Sequence, residues 1–126
     1  MEYFRIITIE TTAQIIQRQL TLTNLDAIST EIFNLEPPQQ ETSSIGGLWG
    51  EFTLSRSLIN GGVRFTLIEC PNALCWTITT GFPPNPNAII IHLTINRQNI
   101  TSDFDEEIND FLEDQEVQLT TFFNSL

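Results

Sequence analysis

Between Phe52 and Leu58 the even-numbered positions are mostly apolar and the odd ones are Thr or Ser. A period of two sends successive side chains to opposite faces of a strand, so this stretch reads as a half-buried strand. Asn60-Gly61-Gly62 follows and accepts positive φ at little cost, which suits a tight hairpin turn. Val63, Phe65 and Leu67 then alternate with Arg64 and Thr66. Beyond a second turn signal at Cys70-Pro71-Asn72-Ala73, Leu74, Trp76 and Ile78 alternate with Cys75, Thr77 and Thr79. A Pro/Asn-rich loop, Phe82 to Asn87, leads to a last run in which Ile89, Ile91, Leu93 and Ile95 share a face. Short connections between four such runs predict an antiparallel meander over residues 48 to 96, because parallel pairing needs longer crossovers.

The flanks extend or cover that sheet. Tyr3 to Glu10 is rich in β-branched residues and predicts a fifth strand. Thr11-Thr12 is a capping signal for a helix from Ala13, with Ile15, Ile16 and Leu20 on one side. Leu25, Ile28, Ile32, Phe33 and Leu35 fall at helical spacing and predict a second helix, ended by Pro37-Pro38. Residues 36 to 47 are polar and rich in breakers and read as an exposed loop. At the carboxy-terminal end Phe104, Ile108, Phe111, Leu112, Leu119, Phe122 and Phe123 recur every three or four residues, an amphipathic stripe compatible with one long helix or two joined by a bend near Asp114.

The fold class that results is α+β: one domain over residues 1–126, with a mainly antiparallel sheet of about five strands and helices packed on one face. A length of 126 residues supports one core, and a hydrophobic content of 40% is enough to offset chain entropy. There is no run of about 18 apolar residues and no cationic, apolar leader at the amino terminus, so neither a membrane span nor secretion is expected and a cytoplasmic location is the default.

Charge narrows the partners. Sixteen acids face five basic residues, all arginine, for a net charge of −11. Such a chain repels phosphate backbones, so nucleic acid is not an expected partner unless the arginines converge. Arg56 and Arg64 flank one hairpin and are the pair that could do so. Half of the acids lie between Asp103 and Glu116, where no base occurs. Those in the first helical turn complement the helix dipole, and the remainder read as a solvated face that attracts a cationic partner at long range. Asp103-x-Asp105 lacks the glycine and the distal glutamate of a calcium loop, and two cysteines with one histidine do not complete a zinc site, so no metal and no cofactor is expected.

Catalytic chemistry needs a nucleophile with its base, tuned carboxylates, a metal cluster or a phosphate cradle. Only Cys75 beside His92, both on the polar side of neighbouring strands, approaches this, and the plain reading is a small half-buried thiol among threonines. Cys70 and Cys75 bracket a short loop with side chains expected on the same face, where a disulfide is geometrically possible and reduced thiols are the cytoplasmic default.

The informative feature is the polar side of the sheet. Thr53, Ser55, Arg64, Thr66, Thr77, Thr79 and His92 should stand on it, together with Ser57, Cys75 and Thr94, and interrupted by Ile68 and Ile90. Short hydroxyl side chains lose little entropy on docking, so this is a candidate binding face for a protein partner or a second copy of the chain. Trp49, between glycine-rich turns, is a candidate for a pocket rim. A small-ligand pocket between the last helix and the sheet, lined by Trp49, Phe52, Phe65 and Phe111, is the alternative.

Overall fold

The computed structural model describes every residue from Met1 to Leu126. The strand pattern of the meander is realised as β4 (Phe52–Ile59), β5 (Gly62–Leu67), β6 (Cys75–Thr80) and β7 (Ile89–Thr94). Asn60-Gly61 makes the β4–β5 turn, with Gly61 at φ +90°. At Gly62 the chain runs so close to β6 that a Cβ would lie 2.0 Å from the Ile78 carbonyl oxygen. The amino-terminal strand, β1 (Glu2–Ile7), pairs with β7 rather than with a sequence neighbour, which carries the sheet past the end of the meander.

Seven strands stand where the sequence pattern predicts about five. The two additional ones are β2 (Ile32–Asn34) and β3 (Thr42–Gly47), and all seven form a single antiparallel, curled sheet in the order β1-β7-β6-β5-β4-β3-β2. Both fall where other structure was expected. The second helix, α2 (Leu25–Ile28), is one turn long instead of running to Leu35. Ser29 turns extended, its hydroxyl accepts the Glu31 and Ile32 backbone N–H groups, and Ile32–Asn34 is drawn into pairing with Ile45–Gly47. Ile28 and Ile32 satisfy either period; the unpaired edge of β3 decides in favour of strand. Residues 36–47, expected as an exposed loop, are a loop only in their first half. From Thr42 onward the chain is β3, with Ser43 and Ile45 buried and the Ser43 hydroxyl donating to Asn34 Oδ1 at 2.6 Å.

Helix α1 (Ala13–Gln19) is capped as its sequence predicts, Thr12 Oγ1 accepting the Ile15 N–H. The last helix, α3 (Ser102–Asn124), is continuous through Asp114-Gln115-Glu116. Thr101 caps it, and Ile108, Phe111, Leu112, Gln115, Leu119 and Phe123 form its buried stripe. Gln115 belongs in that stripe because its side-chain amide donates to the Ile28 carbonyl at 2.9 Å, taking up a carbonyl left open by the short α2.

One hydrophobic cluster joins the helices to a single face of the sheet. Leu54, Val63, Phe65, Leu67, Trp76, Ile78, Ile89, Ile91 and Leu93 supply it from the strands, and Ile16, Leu20, Leu25 and the α3 stripe from the helices. The register pairs Trp76 with Leu93 and Ile78 with Ile91, so the two alternating sets of the meander do point the same way. Helix α1 lies over β5 and β6, and α3 over β1.

Asp114 ties α3 to the chain leaving α2. Its carboxylate accepts from Ser29 Oγ (2.9 Å), Thr30 N (2.9 Å) and Thr30 Oγ1 (2.6 Å). Losing three charge-assisted bonds at once should cost about 1–3 kcal/mol in Asp114→Ala, read as a lower urea midpoint at unchanged slope.

Candidate binding face of the sheet

With every helix on the inner side, the outer side is left bare. The strand register sorts its residues into three rows. Ser55, Thr66, Cys75, Thr94 and Glu2 form one; Ser57, Arg64, Thr77, His92 and Phe4 the next; Ile59, Gly62, Thr79, Ile90 and Ile6 the third. Thr53 stands on the same side, paired with Ser44 of β3. Seven of the eight residues singled out in the sequence (Thr53, Ser55, Arg64, Thr66, Thr77, Thr79 and His92) are therefore brought together on one surface. Trp49 is not among them: it turns inward, 5.1 Å from the ring of Phe111 and edge-on to Phe104.

Two outer residues that sequence reasoning missed are Phe4, 55% exposed, and Ile6, 49% exposed. In β1 the more polar set, Tyr3, Arg5 and Ile7, faces α3, and the set Glu2, Phe4 and Ile6 faces solvent. The inversion follows from what α3 offers. Arg5 Nη2 donates to Asn109 Oδ1 at 2.6 Å and its Nε pairs with Glu116 at 3.0 Å, while the Tyr3 hydroxyl donates to Asp105 at 2.6 Å. The acids of α3 were the available signal, since an inward Arg needs a carboxylate to meet.

That phenol is shifted from an ordinary value near 10 up to about 12, first by burial and then by the hydrogen bond to Asp105. A pKa raised in the folded state gives stabilisation that is complete below the ordinary value and lost as pH rises through the raised one. Tyr3 is the single tyrosine, so tyrosinate absorbance should titrate with a midpoint near 12, falling toward the ordinary value in Asp105→Asn.

The outer rows are close to neutral. Glu2 and Arg64 are their only formal charges, and Glu2 Oε1 lies 3.0 Å from His92 Nε2, whose ring stacks on Phe4 with centroids 4.3 Å apart. Half of the acids sit on α3, on the other side: besides Asp105, Asp114 and Glu116, which bind within the fold, it carries Asp103, Glu106, Glu107, Asp110 and Glu113, none of them in an ion pair.

Several sequence expectations are corrected here. Arg56 and Arg64 do not converge, because Arg56 pairs with Phe65 on the inner face while Arg64 pairs with Ser57 on the outer. Arg56 is only 7% exposed; its guanidinium donates to the carbonyls of Leu20 and Gln17 and pairs with Glu41. Cys70 packs against the core and Cys75 stands on the outer face, so the two thiols do not share a side, and both are free. Cys75 meets Thr94 Oγ1 at 3.3 Å while His92 is engaged by Glu2 and Phe4, so the thiol and the imidazole are each held by other neighbours.

Of the aromatic residues assigned to a pocket under α3, Trp49 meets Phe111 directly and Phe65 is linked to Phe111 through Trp76. Phe111 meets Trp76 at 4.9 Å, and Trp76 stacks on Phe65 at 5.4 Å. The indole N–H groups of Trp49 and Trp76 are both buried there without an acceptor.

Both edges of the sheet are blunted. On β1 the Arg5 guanidinium donates to the Phe4 carbonyl at 3.0 Å, and on β2 the Asn34 N–H is met by Asp26 Oδ1 at 3.4 Å. A partner adding a strand would have to displace these two contacts. No helix is long and apolar enough to cross a membrane. Neither a scan of protein-family models nor a search of curated proteins finds a match for this chain.

Proposed function

We propose that the protein is a non-enzymatic, cytoplasmic interaction module that docks a protein partner, or a second copy of itself, on the outer face of its sheet. The observation that carries this reading is the contrast between that face and the rest of the molecule. In a chain of net charge −11, three rows of hydroxyl and aliphatic side chains are nearly uncharged and no element of the fold covers them. Such a surface is weakly hydrated and entropically inexpensive to immobilise, and Phe4, Ile6 and Ile90 add an apolar anchor at one end. One backbone group on each edge strand is already met by a side chain, which disfavours strand addition relative to face docking.

Thr77 lies mid-row between Arg64 and His92, so Thr77→Arg tests the face with little consequence for folding. The variant should keep the parent's melting temperature and lose cross-linked or co-purified complexes that the control Glu113→Arg retains. If the parent is a strict monomer without partners, and a small-molecule screen raises its melting temperature, the function moves to a ligand site under α3. The close aromatic contacts there make that the weaker reading.

A further inference from the structure

Away from the three central rows, the outer side of the β2–β3–β4 flank holds a groove of about 390 Å³ whose lining includes Leu35, Phe52, Thr53 and the carboxylates of Glu36, Glu51 and Glu69. A second hollow of about 120 Å³ shares Glu36 and Thr53 with it and reaches Pro37 and Gln39, so the depression continues alongside β3. We propose that this groove receives an extended cationic segment of a protein partner, one that alternates Arg or Lys with apolar residues.

Two independent features point to that occupant. One is the apolar bench: Leu35, 46% exposed, and Phe33 lie over Gly46, where a Cβ would meet them at 3.2 and 3.3 Å. Two large apolar side chains exposed side by side next to a depression form a small apolar patch that a partner's apolar residues could cover. The other is uncompensated charge. The lining of either hollow contains no base, and neither the two Arg–Glu ion pairs (Arg5–Glu116 and Arg56–Glu41) nor the His92–Glu2 contact involves any of the three glutamates. Glu69 is already oriented, its two oxygens accepting from Thr53 N and Thr53 Oγ1 at 2.6 Å each. Bonds from the Thr53 hydroxyl and then its N–H hold that carboxyl below the usual carboxylate range.

The three carboxylates do not form a cluster able to hold a metal ion. Around a groove with Leu35 exposed in its lining and Phe33 beside it, they suit charges spaced along an extended chain, whose apolar side chains would lie on that pair. An anionic partner would meet three like charges.

The test is a titration of the isotope-labelled full chain with an alternating arginine–leucine hexapeptide, followed by amide chemical shifts. Shifts should concentrate at residues 35–37, 44–45, 51–53 and 69. Affinity should fall about tenfold in Glu36→Gln/Glu51→Gln/Glu69→Gln, from the loss of three exposed ion pairs. The double variant Glu36→Gln/Glu51→Gln, which leaves the Glu69–Thr53 contact intact, should show most of that loss at an unchanged melting temperature. Glu106→Gln/Glu107→Gln/Glu113→Gln on α3, with the same change in net charge, should bind like the parent. Absence of binding, shifts spread along α3, or equal losses in the two triple variants would overturn the proposal, the last two by showing diffuse attraction only. Thr77→Arg should leave the peptide affinity in place, so failure here and failure of the central-face reading are separable.

Discussion

Phe111→Ala should cost about 3–5 kcal/mol of folding stability. Phe111 has no solvent exposure and is the one α3 side chain whose ring meets both tryptophans, Trp49 at 5.1 Å and Trp76 at 4.9 Å. Through Trp76 it is linked to Phe65, so the ring connects α3 to the centre of the sheet. Truncation removes its transfer free energy and leaves a void that large, rigid rings cannot close. Set against a typical total of about 5–15 kcal/mol, this brings the protein near its threshold. Phe111→Leu keeps much of the volume and should cost about 1.5 kcal/mol or less. Chemical denaturation followed by tryptophan fluorescence measures both; equal losses in the two variants would mean that the ring contacts are not what joins α3 to the sheet.

The second large effect is expected at Arg56. Its Nε donates to the Leu20 carbonyl at 2.7 Å and its Nη2 to that of Gln17, so it supplies donors to the end of α1, where the helix itself has none. Arg56→Ala strands those carbonyls beneath α1 and should cost about 2–4 kcal/mol. The ion pair with Glu41 is not the source of that cost, because Glu41 is 59% exposed on its side of the contact. Glu41→Gln should therefore change stability by less than about 0.5 kcal/mol. A loss in Glu41→Gln comparable to that in Arg56→Ala would instead assign the stabilisation to the salt bridge.

Arg56 also shows where periodicity misleads. Its position in β4 is an inward one by alternation, and a charged residue there invites the guess that it escapes to the surface to join Arg64. What decides is the need of α1 for a terminal donor, which lies 36 residues away in sequence from the residue that supplies it. The same holds at β1, where acids on α3 turn Arg5 and Tyr3 inward and leave Phe4 and Ile6 outside. The meander was legible because β4 to β7 are joined by turns whose chemistry is local, and because their hydroxyl and aliphatic sets do not mix. The strands β2 and β3 were not legible: Ile32–Asn34 is short, Thr42–Gly47 is polar and glycine-rich, and each is a strand only because the other and β4 pair with it. The rows of the outer face could be predicted strand by strand from parity. Which residues stand side by side, and that Trp49 leaves the surface for Phe111, depended on register and on the helices, which no single-sequence period encodes.

The central claim, that one side of the meander is open for docking while the other is sealed by the helices, is tested most directly by thiol reactivity at two adjacent positions of β6. In a Cys70→Ser/Cys75→Ser background, Thr77→Cys should react with a maleimide in the native protein at close to the rate of a free thiol, and Ile78→Cys should be modified only as fast as the protein unfolds. Similar protection at both positions would contradict the account, for it would mean that the outer face is covered as well.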